Sequence, residues 1–141
     1  MTDKKSYYIT TPIYYVNDKP HLGHTYTTIA CDVLARFKRL DGYNVRFMTG
    51  TDEHGLKIKQ SAEKAGVDPQ TFTDQVSQNF RDLCAAMNFS NDDFIRTTEE
   101  RHIKACQHLW NVLLEKGAIY LDKYAGWYAV RDEAYYTEDE L

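Results

Sequence analysis

The sequence predicts an α/β fold built on a parallel sheet, and three observations carry that expectation. An aromatic and β-branched run, Tyr7-Tyr8-Ile9-Thr10-Thr11 continuing to Tyr15, reads as a buried strand. A helix-period segment follows it, and then a second short apolar run, Val45 to Thr49. Strand, helix and strand within about 45 residues is the spacing of a βαβ unit, whose two strands lie parallel.

Taken in order, Met1 to Ser6 is polar and expected to be a loose end. After the first strand, Asn17-Asp18-Lys19-Pro20 makes a turn, and a helix opens after Gly23 and runs to about Arg39. Its apolar residues Ile29, Val33, Leu34, Phe37 and Leu40 fall on one stripe, basic residues fill its last turn, and Asp41-Gly42 ends it. The second strand leads into the loop Gly50-Thr51-Asp52-Glu53-His54-Gly55. A short helix spans Leu56 to Ala65 and stops at Gly66. Asp68-Pro69 is a cap followed by proline at the first helical position, opening a helix to roughly Met87 with Phe72, Val76, Phe80, Leu83 and Cys84 toward the core. Phe94-Ile95-Arg96-Thr97-Thr98 is a third strand candidate. The helix after it, Arg101 to Lys116, is expected to bury Ile103, Leu109, Trp110, Leu113 and Leu114 before Gly117 stops it. Ile119-Tyr120-Leu121 and Gly126-Trp127-Tyr128-Ala129-Val130 look like two short strands with a tight connection.

The chain has 141 residues, 43% hydrophobic and 27% charged, the composition of an ordinary globular unit long enough to bury a core. A formal net charge of −4 does not advertise a nucleic-acid surface. No apolar run reaches the ~18 residues of a membrane-spanning helix, and residues 1–10 lack signal-peptide order, so a cytoplasmic protein is expected. Cys31, Cys84 and Cys106 are odd in number and widely spaced, and read as reduced core thiols with no zinc knuckle.

Two strands therefore end in chemically loaded loops: one holds His21 and His24, the other Asp52, Glu53 and His54. Neighbouring strands of a parallel sheet open their loops on one C-terminal edge, where such sheets bind ligands. Unpaired N–H groups of a first helical turn, with two imidazoles three residues apart, suit a polyphosphate; a carboxylate beside them suits a substrate ammonium. Such a pocket fits an amino acid and a nucleoside triphosphate together. Taken alone, Asp52, Glu53 and His54 read better as turn and cap residues for the helix starting at Gly55, and Asp52 with His54 offers too few ligands for a metal site. His102 and His108 carry no assigned chemistry. Trp110 and Trp127 read as packing residues, and the acidic Glu138-Asp139-Glu140 reads as solvated surface.

The stretch Tyr14-Tyr15-Val16-Asn17-Asp18-Lys19-Pro20-His21-Leu22-Gly23-His24 resembles the HIGH signature of class I aminoacyl-tRNA synthetases. With the Thr49–Gly55 loop, Phe94–Thr98 and Gly126–Tyr136, it is similar, block by block, to the methionyl family within that class. The resemblance implies the first half of a Rossmann-like nucleotide-binding domain over residues 1–118 and the start of a connective insertion over 119–141. It implies Ile13, Tyr15 and Asp52 at methionine, and His21, Gly23 and His24 at ATP, which comes with Mg2+; the two histidines are the catalytic pair. The implied reaction is adenylation of methionine followed by transfer to tRNA, which would bind through regions outside this chain. The second half of the fold, its KMSKS loop and the anticodon-binding domain lie outside these residues. The chain is thus expected to be part of a larger enzyme, with the remaining part as partner and little activity alone. A non-catalytic synthetase remnant and, less compatible with the Thr49–Gly55 loop, a small adenylyltransferase are the alternatives.

Overall fold

The computed structural model describes residues 4–140. In chain order its elements are β1 (Ser6–Thr10), β2 (Tyr14–Tyr15), α1 (Leu22–Leu40), β3 (Asn44–Asp52), α2 (Leu56–Ala65), α3 (Pro69–Ala86), β4 (Asp93–Arg96), α4 (Glu100–Glu115), β5 (Trp127–Ala129) and β6 (Ala134–Tyr136). The chain forms two compact units, one ending at Ala105 and the other starting at Cys106. The expected loose end falls partly on Met1 to Asp3, outside the described residues; Ser6 already belongs to β1.

The first unit is α/β, with β3 at the centre of a parallel sheet. β1 and β2 pair with one side of β3 and β4 with the other, all parallel. The single buried strand expected over Tyr7–Tyr15 is split and mostly exposed. Pro12 has no N–H to give the ladder, so pairing lapses over Thr11 to Ile13 after Thr11 N donates to Met48 O at 3.1 Å. β1 is an edge strand, with Tyr8 58% exposed. β3 runs further than its apolar run suggests, and Asp52 is its last residue rather than a loop residue.

Local signals set α2 and α3 as expected. Gly66 caps α2 at φ 71°, and Asp68 accepts a 3.0 Å bond from Thr71 N ahead of Pro69. α3 turns Val76 and Phe80 inward, where they join Tyr14, Val16, Ile58 and Phe94 in the core with Phe72 and Cys84 packed against it. α1 departs from expectation. Its buried side carries Thr28, Asp32 and Ala35, while the apolar stripe points outward, with Phe37 56% and Leu40 89% exposed. Asp32 can be buried because it is fully paired: Ser90 N and Oγ each donate to it at 2.6 Å, as does Arg36 Nε. Burial works against that carboxylate, but the Ser90 and Arg36 bonds hold its pKa below the ordinary value.

The second unit holds an antiparallel hairpin, but not the one expected. β5 pairs with β6, drawn from the segment after it, through a turn that places Glu133 at φ 52°. Tyr135 packs on Tyr124 and Tyr128 at ring separations of 5.3 and 5.0 Å, which favours this pairing; Ile119-Tyr120-Leu121 forms no strand, and Leu121 is fully exposed. α4 buries none of its apolar residues, Leu109 and Trp110 each being 58% exposed. Of the three thiols expected in the core, Cys84 packs half-buried against it, Cys31 is half-buried and Cys106 is exposed; none is in a disulfide.

Candidate functional site at the C-terminal edge of the sheet

The first loop is built around its two histidines. Val16, fully buried, anchors the chain after β2, and the backbone turns through Asn17 to Pro20 to reach α1. His21 is the N-cap of α1. Its Nδ1 accepts from Gly23 N at 3.1 Å, while His24 Nδ1 accepts from His21 N at 3.1 Å, a capping box made of two imidazoles. A backbone N–H can only donate, so each Nδ1 presents its lone pair and each neutral ring carries its proton on Nε2. The rings stack with centroids 3.8 Å apart. Tyr14 meets His24 edge-on at 4.7 Å while its hydroxyl shares a 2.9 Å bond with Thr28 Oγ1, and Phe80, stacked on Tyr14, also meets His24 edge-on at 5.1 Å. Burial, and next the neighbouring His21, lower the pKa of His24; burial raises that of Tyr14. A Cβ on Gly23 would stand 2.9 Å from His21 Cε1, so glycine makes room for the capping ring itself.

This geometry corrects one expectation. The N–H groups of His21 and Gly23 are not open to a phosphate, because the imidazoles already take them. With Nδ1 engaged on both rings, each imidazole has its Nε2–H left to offer a ligand.

The second loop is held from below. Tyr15 and Asp52 are register partners, as are Tyr14 and Thr51. Side chains alternate along a strand, so Thr51 and Glu53 turn inward and Asp52 turns the other way. Thr51 is 0% and Glu53 4% exposed. The Glu53 carboxylate accepts from Thr51 Oγ1 at 2.9 Å, from Arg96 Nε at 2.7 Å and from the Thr98 hydroxyl. Its backbone N–H donates to Thr97 Oγ1 at 2.9 Å. Arg96 also pairs with Asp74 of α3, and its bonds to Glu53, then Asp74, raise its pKa further. Asp52 itself is half-buried and, among the described residues, accepts only a long 3.4 Å contact from His54 N.

One open cleft is lined by Ile13, Tyr14, Tyr15, Lys19, His21 and His24 among others. Asp52 reaches the same edge as the strand neighbour of Tyr15, and Gly23 lies under the His21 ring. Of the stretch read as a motif, Leu22 points into solvent, 87% exposed. No group of three or more metal-binding side chains occurs among the described residues. Sequence reasoning passed over Tyr14 as a support for His24 and Glu53 as an anchor. The available signal was the Phe94–Thr98 block, visible in the sequence but without a task.

A sequence model of the tRNA synthetases class I (M) matches residues 7–141. The chain belongs to that family. Among curated members, the methionine–tRNA ligase of Rickettsia prowazekii is 63% identical over 138 residues, which cover 98% of this chain and 27% of that protein. The mitochondrial methionine–tRNA ligase of Takifugu rubripes is 54% identical over 140 residues, 99% of this chain and 24% of that one. Among solved structures, Mycobacterium tuberculosis methionyl-tRNA synthetase in complex with methionyl-adenylate superposes with a TM-score of 0.90 at 52% identity, covering 96% of this chain and 27% of that one. The chain spans about a quarter of the length of the curated relatives it matches.

Proposed function

We propose that this chain supplies the amino-acid and ATP site of a methionine–tRNA ligase, in which methionine is adenylated by Mg-ATP and then transferred to tRNA. The observation that carries the reading is the meeting of Ile13, Tyr15 and the histidine pair in one cleft with Asp52 paired to Tyr15 beside it. The Ile13 carbonyl and the Asp52 carboxylate receive the methionine ammonium, and Tyr15 packs on the side chain. The Nε2–H groups of His21 and His24 donate to the triphosphate, with Gly23 keeping the turn open. Adenylation builds negative charge on the α-phosphate and the leaving pyrophosphate, and fixed donors stabilise it better than water that must reorient. No covalent enzyme intermediate is required. The names of the relatives support the amino acid, and the adenylate named in the complex supports the intermediate.

We assign residues 1–118 to the first half of the catalytic domain and 119–141 to the start of a connective insertion, in a cytoplasmic enzyme. The free edge of β1 and the outward apolar stripe of α1 suit further polypeptide that extends the sheet and covers that helix. tRNA binds through such further sequence, consistent with the acidic balance here.

The test is methionine-dependent ATP–pyrophosphate exchange by the full-length protein. Asp52→Ala is expected to lower kcat/KM for methionine on the order of 100-fold, the loss of a charge-assisted contact. Exchange that is independent of methionine, or unchanged in Asp52→Ala, overturns the reading. The isolated 141-residue chain is expected to show none.

A further inference from the structure

Three consecutive residues, Arg96, Thr97 and Thr98, each place a side-chain polar atom on one residue more than forty positions away. Arg96 Nε and the Thr98 hydroxyl take the two oxygens of Glu53, and Thr97 Oγ1 takes its backbone N–H. Thr51 adds a fourth bond from the same strand as Asp52. We propose that Glu53, clamped in this way, is the positioning residue that aims the Asp52 carboxylate at the substrate ammonium. The inference rests on the role given above to Asp52 and deepens it.

Three features point the same way. Glu53 is buried while its neighbour Asp52 is not, and in extended chain adjacent side chains take opposite faces. A slip by one residue would send Asp52 inward and Glu53 to the cleft; the four bonds to Glu53 forbid it. The Asp52 side chain makes only the long contact to His54 N among the described residues, so nothing of its own holds its direction. The other arm of Arg96 rests on Asp74 of α3, which ties the end of β3 to the helix layer as well as to β4. Stability alone does not account for the arrangement, since a buried ion pair is commonly matched in stability by apolar side chains of similar shape. What an apolar substitute lacks is the set of directional bonds that fix a register.

The experiment measures separate KM values for methionine and ATP in pyrophosphate exchange by the full-length protein, for Glu53→Gln, Glu53→Ala and Asp93→Asn. Glu53→Gln keeps shape and the bond to Thr98 but discharges the Arg96 pair; Asp93→Asn weakens pairing with Arg46 and Arg101 at the other end of β4 and serves as the stability control. Glu53→Gln is expected to raise the methionine KM roughly 10-fold with the ATP KM within about 2-fold of the unaltered protein, and Glu53→Ala to raise it further. Asp93→Asn is expected to lower Tm and leave the methionine KM in place. An unchanged methionine KM in Glu53→Gln overturns the inference alone, as does an equal rise in Asp93→Asn. If Glu53→Ala does not fold, Glu53→Gln decides. Absence of methionine-dependent exchange in the unaltered protein overturns the functional reading, and this inference with it.

Discussion

The histidine turn that follows β2 is held by bonds spanning two or three residues, whereas the carboxylate turn that follows β3 is held by bonds spanning 43 to 45. One folds on itself, each imidazole capping the backbone beneath the other. The other waits for β4 to arrive and for Arg96, Thr97 and Thr98 to close around Glu53. The difference separates two kinds of precision at one sheet edge. A self-capped turn sets the tautomer and spacing of its donors from local sequence, while a clamped turn sets the direction of a single carboxylate from the packing of the unit.

That contrast can be broken at several points. The largest expected effect is Phe80→Ala, which removes a fully buried ring lying against both Tyr14 and His24 and is expected to destabilise folding by about 3–5 kcal/mol in chemical denaturation. The histidine turn should survive in the protein that remains folded, with nitrogen chemical shifts still reporting protons on Nε2 of both rings. Loss of that signature would mean the turn depends on the core after all.

Gly50→Ala comes next. A Cβ there would lie 2.1 Å from Ile95 O, so β3 and β4 must move apart, at a loss of about 1–3 kcal/mol. The methionine KM should rise while the ATP KM holds, because only the clamped turn depends on that approach. Equal changes in both would erase the distinction.

The smallest effect is that of pH on His24. Its pKa is lowered in the folded protein, chiefly by burial and then by His21. The unfolded chain therefore takes up a proton first as pH falls. The associated stability is complete above the ordinary histidine value of 6.5 and is lost as pH drops from there through the folded pKa. Denaturation at pH 7.5 and 5.5 should show a drop that is smaller in His24→Gln; an equal drop would remove His24 as its source.

Legibility followed the range of the interactions. α2 and α3 were readable almost to the residue because Gly66, Asp68 and Pro69 act on their immediate neighbours. The pairing of Tyr15 with Asp52 was legible only as two loops on one edge, since nothing local says that β3 extends to Asp52. The outward turn of the α1 stripe was not legible at all. Periodicity names an apolar face without saying what covers it, and here Asp32 and Thr28 take the inner side through bonds to Ser90 and Tyr14. The hairpin partner of β5 was missed for a related reason: Ile119-Tyr120-Leu121 and Ala134-Tyr135-Tyr136 have equal strand character, and cross-strand tyrosine packing chose between them.

By itself the sequence determined the parallel α/β order of the first unit, the Gly66 cap of α2, the Asp68 cap of α3 and the place of two polar loops after the strands, because each follows from residues close in the chain. Tertiary structure alone decided that Glu53 is a buried anchor while Asp52 stays half-exposed at the sheet edge, though the two are adjacent carboxylates of the same chemistry. Only the arrival of Arg96 and the two threonines distinguishes them, since burying a carboxylate requires partners that the chain places more than forty residues away.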